Sequence, residues 1–153
     1  MTIIESVRNY ILKCPYLKDL QKVNVNFLPE NTDNCSIEEV PNQNGSLTKK
    51  FLDGSSEREF NFVLACVFDY SEDLQTNIDS SEFFENFQEW IEDNDLNEIY
   101  PQLKDGLEPL SISVTTSGYL YYVPEKMDRA IYQIQLKLEI KLKSSKLATL
   151  IKS

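Results

Sequence analysis

The stretch AIYQIQLKLEIKLK, residues 130–143, alternates along nearly its whole length. Ala130, Tyr132, Ile134, Leu136, Leu138, Ile140 and Leu142 are apolar, and Gln133, Gln135, Lys137, Glu139, Lys141 and Lys143 stand between them, with Ile131 the exception. Side chains of a β-strand point to opposite faces in turn, so this pattern predicts a long strand with one face in a core and the other bearing charge. A second stretch of this kind runs from Glu59 to Asp69, where Phe60, Phe62, Leu64, Cys66 and Phe68 share one face. Its other face carries Val63, Ala65 and Val67 as well, so it reads as a strand covered in part on both sides and central in its sheet.

Two helices are expected beside these strands. Thr2-Ile3-Ile4-Glu5 forms a capping box, and Ile3, Ile4, Val7, Tyr10, Ile11 and Cys14 then recur at helical spacing. Pro15 ends that helix near Lys13, because the residue before a proline is biased away from helical angles. In NIDSSEFFENFQEWIEDND, residues 77–95, the side chains of Phe83, Phe84, Phe87, Trp90 and Ile91 line one stripe. Asp79, Ser80 or Ser81 would cap this second helix, and Glu82, Glu85, Glu89 and Glu92 lie away from its apolar stripe, facing solvent. Shorter strand-like runs are VNVNFL (23–28) and CSIEEV (35–40), read as a pair joined in a hairpin. LSISV (110–114) and YLYYV (119–123) read as a second hairpin about a loop containing Gly118. PNQNGSLTKK (41–50) reads as a turn or mobile loop, and residues 143–153 read either as a flexible tail or as a short helix. The sum is one α+β domain over residues 1–153, with a mainly antiparallel sheet and its two principal helices on one face.

Composition narrows the function. There is no histidine among the 153 residues, so Ser–His and Cys–His nucleophile pairs and imidazole-held zinc are excluded. With only four glycines, none close to another, a phosphate-cradling glycine loop cannot be built. The expectation is a protein that is not an enzyme, with no catalytic residue, no cofactor and no metal. Cys14, Cys35 and Cys66 form no CxxC pair and are read as small buried thiols. No apolar run approaches the roughly 20 residues of a membrane span and the N-terminus lacks the form of a signal peptide, so the expected compartment is the cytoplasm.

Charge is unevenly spread. The net charge is −10, yet residues 59–103 contain 12 acidic side chains and no Lys or Arg, whereas residues 125–153 carry a net +4. Such separation suits a molecule that meets a complementary surface, another copy of itself included, and argues against a DNA clamp. In the final strand, Lys137, Lys141 and Lys143 would then face an acidic partner.

The order FLPE, SIEEVP, FLDGSSEREFNFVLACVFDY, FFENFQEWIEDND, YPQL and AIYQIQLKLEI, spread over residues 3–142, resembles the tail-terminator or minor capsid proteins of tailed phages and prophages of Gram-positive bacteria. The most specific parts are the Asp53-Gly54-Ser55 turn with Arg58 and Phe60 after it, the Phe84–Ile91 part of the second helix, and the opening of the last strand. The resemblance implies a structural virion protein. Copies would form a ring, of six in such proteins, that closes the tail tube, stops its growth and offers the docking surface for the head connector. It implies tail-tube and head-completion proteins as partners, DNA passing through the ring without specific binding, and a place in the virion after assembly in the host cytoplasm. No membrane is involved. Asp53 and Arg58 join Lys137, Lys141 and Lys143 as candidate interface residues. The competing readings are another head–tail joining or neck protein, a small transferase or hydrolase, and a soluble interaction module without a phage role.

Overall fold

The computed structural model describes residues 1–17, 22–42 and 46–143. The elements are α1 (Ile3–Ile11), β1 (Lys22–Val25), β2 (Asn34–Val40), β3 (Leu47–Lys50), β4 (Ser56–Asp69), α2 (Leu74–Leu96), β5 (Leu107–Tyr122) and β6 (Arg129–Leu142), with a short 3₁₀ turn over Pro15–Leu17. The strands form one sheet in the order β1-β2-β4-β6-β5, and β3 also pairs with β4. The α+β expectation is met, although the sheet is mixed: β1 runs parallel to β2, while β2–β4, β3–β4, β4–β6 and β5–β6 are antiparallel.

β6 behaves as its alternation requires. Ala130, Tyr132, Ile134, Leu136, Leu138 and Ile140 are buried on the face shared with Phe62, Leu64, Cys66 and Phe68 of β4. Both helices cover that face. α1 supplies Ile4, Val7, Tyr10 and Ile11, and α2 supplies Phe84, Phe87 and Ile91 to one continuous core. The aromatic stripe of α2 is graded: Phe87 is fully buried, whereas Phe83 and Trp90 pack against the core from its margin. Trp90 meets Tyr10 of α1 at 5.2 Å between ring centroids, and Asn94 of α2 donates a hydrogen bond to the Tyr10 hydroxyl, so the two helices are locked together as well as to the sheet.

Several elements differ from expectation, each for a local reason. The segments around residues 23–28 and 35–40 are adjacent but parallel, and so do not form a hairpin. The connector between them begins and ends in the left-handed region, at Asn26 (φ 51°) and Asp33 (φ 63°), residue types that adopt it most readily after glycine. These bends carry the chain back to the level at which β1 began. Residues 110–123 do not turn back either: β5 is one strand of 16 residues, irregular in register at four places. Gly118 serves close packing, since a Cβ there would collide with Cβ and Cγ of Phe84 on α2. The α2 helix starts before the expected cap. Asp73 is the N-cap, its Oδ1 accepting from the Gln75 N–H, and Ser80 sits inside the helix with its hydroxyl donating to the Thr76 carbonyl. Residues 47–50, read as loop, form β3. The reading of Asn44-Gly45 as a turn and of the tail after Lys143 fall outside the described residues.

The cysteine reading is corrected as well. Register places Cys35 of β2 directly opposite Cys66 of β4, with Cα atoms 4.2 Å apart, and the two are joined as a disulfide. Cys14 is a buried free thiol, as expected.

Both outer strands carry a side chain from a helix on a backbone polar group. Arg8 of α1 donates from Nε to the Val23 carbonyl of β1 at 2.8 Å. Asp95 of α2 accepts the Ile112 N–H of β5 at 3.0 Å and also the Tyr100 hydroxyl.

Candidate functional site

The sheet face turned away from the helices holds the charged side of β6. Along it Lys137 lies between Asn61 and Ser113, Glu139 between Glu59 and Ser111, and Lys141 between Glu57 and Glu108. Glu59 and Glu139 are thus like charges directly opposite each other, an arrangement that is unfavourable alone. Lys137 resolves it. Its Nζ lies 3.7 Å from Glu59 Oε1 and 3.3 Å from Glu139 Oε1, and Ser111 donates to the second oxygen of Glu139. Lys137 therefore finds acidic partners inside its own chain. Further along the same face, Gln133 and Gln135 share the Tyr119 hydroxyl, which donates to the first and accepts from the second. Glu38 also belongs to this face, opposite Val63, and burial holds its carboxyl above the usual carboxylate range.

The other four candidate residues gather at one end of the sheet. Lys141 extends over the Phe51 ring at 5.6 Å, and Lys49 of β3 lies at the same distance from that ring. Asp53 occupies the turn between β3 and β4, where its Oδ1 accepts from both the hydroxyl (2.5 Å) and the N–H (2.8 Å) of Ser55. Those bonds, with Lys141 adding a smaller attraction, hold its carboxyl below the usual range. Arg58 is exposed near the start of β4, on the opposite side of the strand from Glu57, with Nε donating to Ser56 Oγ. Lys143 follows β6, and its N–H donates to the Gly106 carbonyl. Lys49, Lys50, Arg58, Lys141 and Lys143 make no ion pair within 4 Å to a described residue.

The hairpin of β3 completes this end, and sequence reading passed over it. All four residues of β3 are exposed, and Leu47 and Leu52 stand out as large apolar side chains in water. The available signal was the Asp53-Gly54 turn, which suits a strand on each side of it.

A second surface lies along the outer face of α2. At 3.6 residues per turn, Leu74, Ile78, Glu82, Glu85, Glu89, Glu92 and Leu96 fall within an arc of about 80°. The glutamates were expected to face solvent, and they do. The apolar residues in line with them were not expected there: Leu74 is 72%, Ile78 45% and Leu96 82% exposed.

Several open-sided hollows interrupt the described surface, one of about 540 Å³ lying against the outer face of α2 at Ile78, Glu82 and Glu85. One of about 520 Å³ is lined by Asn26, Glu39, Asn42, Glu59 and Asn61 among others, and one of about 460 Å³ by Tyr16, Asp33, Phe68, Asp69, Asp79 and Phe83 among others. Among the described residues, no three His, Cys, Asp or Glu side chains gather to hold a metal ion, and no helix is long and apolar enough to cross a membrane. The sequence matches no known family model and no curated protein.

Proposed function

We propose that this chain is a structural subunit of a phage tail, and that its copies join head to tail in a ring. The ring caps the tail tube, ends the addition of tube subunits and offers the surface on which the head docks. Its number, six, rests on the resemblance to tail terminators. The function is one of shape and contact, with no catalysed reaction.

One observation carries the reading: the chain has two unlike surfaces, one along the outer face of α2 and one at the end of the sheet around β3. The outer face of α2 is acidic over a 23-residue helix that contains no Lys or Arg. At the β3 hairpin and the end of β6 stand Lys49, Lys50, Arg58, Lys141 and Lys143, all but Lys141 exposed and none in an ion pair with a described residue. Unlike patches on separate parts of the surface favour a heterologous contact, which closes into a ring when the rotation per copy allows it. The acidic excess of the whole chain, −10, suits a ring through which DNA passes without being held.

The test is electron microscopy of the purified chain, alone and with its tail-tube protein. Rings, and tubes that stop growing at a capped end, are expected. Tubes that lengthen unchanged in a molar excess of this chain, with no ring at any concentration, overturn the reading.

A further inference from the structure

We infer that the glutamate stripe of α2 in one copy seats on the β3 hairpin of the next copy, with Lys49, Lys50 and Leu52 as the contact. This rests on the ring reading and names the two surfaces that would form each joint.

Three observations converge on it. The first is charge: Glu82, Glu85, Glu89 and Glu92 project from the side of α2 that faces away from the sheet, and Lys49 and Lys50 are exposed on β3. Neither set is neutralised within its own chain by an ion pair to a described residue. The second is exposed apolar surface. Leu74, Ile78 and Leu96 stand exposed in line with the glutamates, and Leu47 and a fully exposed Leu52 stand beside Lys49 and Lys50, so each charged set carries apolar surface that a contact would bury. The third is reach. Glu82 to Glu92 spans about 15 Å at 1.5 Å per residue. The strand β3, Leu47–Lys50, spans about 10 Å at 3.3 Å per residue with Leu52 in the turn just beyond, so the hairpin edge fits within the length of the stripe.

Within one copy no ion pair joins the two sets among the described residues. The stripe points outward from the helix layer, while Lys49 stands opposite Glu57 on the sheet face turned from the helices and Lys50 stands opposite Ser56 at the end of the sheet. The contact is therefore placed between copies. Lys137 takes no part, since its charge is shared by Glu59 and Glu139.

The experiment uses the full chain in two charge-reversed forms, K49E/K50E and E85K/E89K, followed by sedimentation velocity at about 0.15 M salt. All four side chains are exposed, so the unfolding midpoint of each variant should match that of the wild type. Wild type should assemble, and each variant alone should associate at least about tenfold more weakly, because like charges then face each other. An equimolar mixture of the two variants should recover association, since each E85K/E89K stripe can meet a K49E/K50E hairpin. Leu52→Ser, which leaves the charge unchanged, should also weaken assembly. If both reversed forms assemble as well as wild type, or if their mixture gains nothing over either alone, the joint lies elsewhere and this inference falls while the ring reading stands. If wild type remains a single copy at every concentration and with tube protein present, the ring reading fails and takes the inference with it.

Discussion

Lys137 shows how a residue placed correctly on its face can still have an unforeseen role. The alternation of residues 130–143 puts it on the side away from the core, where a partner could reach it. What no single strand reveals is its neighbour: register sets Glu59 against Glu139, and Lys137 lies between their carboxylates. Lys137→Glu should therefore destabilise the monomer itself, by roughly 1–2 kcal/mol, as two attractive pairs become repulsive. Lys137→Gln should cost less, and raised salt should narrow the difference. Denaturant unfolding of the two variants at low and high salt checks this. Glu38 gives a second prediction, with its sign set by linkage. Burial raises its folded-state pKa above that of the unfolded chain, so the folded protein holds the proton more tightly. The carboxyl then costs no stability below the unfolded value, and its cost grows as pH rises through the folded one. Glu38→Gln should raise the melting temperature at pH 7 and leave it unchanged near pH 3. A thermal scan of both forms at the two pH values decides it, and equal gains at both would point to packing.

At the scale of elements, β6, β4 and α1 were legible because one periodicity dominates each of them. The start of α2 was hidden by polar residues at Asp73, Gln75 and Thr76, and its exposed Leu74 and Ile78 break the amphipathic pattern that marks the rest of the helix. The β5 strand was misread because a glycine near Thr115-Thr116-Ser117 has the signature of a turn. Its actual reason is tertiary: α2 passes so near that Gly118 is left no room for a Cβ beside Phe84. Gly118→Ala must move Phe84 or bend β5, and a loss of about 1–3 kcal/mol is expected, as for other overpacked sites. A turn glycine free of neighbours would behave otherwise, so an unfolding midpoint equal to wild type would contradict the packing described. The candidate site divides along the same line. Its lysines on β6 follow from alternation, whereas the β3 hairpin depends on which strand lies beside β4, and a short polar run does not declare that.

Over the whole molecule, the Cys35–Cys66 bond ties β2, and through it β1, to the central strand β4. The two cysteines are 31 residues apart, and only the β2–β4 register makes them opposite, so spacing offered no hint. Cross-links over loops of this order typically stabilise by about 2–4 kcal/mol. Reduction under native conditions, or Cys35→Ser with Cys66→Ser, should lower stability by that amount while leaving the far-ultraviolet circular dichroism unchanged, because the core on both sides of the bond is complete without it. A fold that collapses on reduction would mean that the cross-link supplies what the packing does not.

The two helix side chains resting on the outer strands bear on what happens when many copies are crowded together. A sheet border with free N–H and C=O groups can recruit any passing strand and grow into a fibril. Arg8 occupies the Val23 carbonyl at one border and Asp95 the Ile112 amide at the other, while the irregular register of β5 denies a visiting strand a straight ladder. At β1 and β5, charges fixed on helices thus guard against amyloid-like stacking. The remaining edge, β3, is only four residues long with two lysines, a poor template, so such a subunit can be held at high local concentration without its sheets fusing.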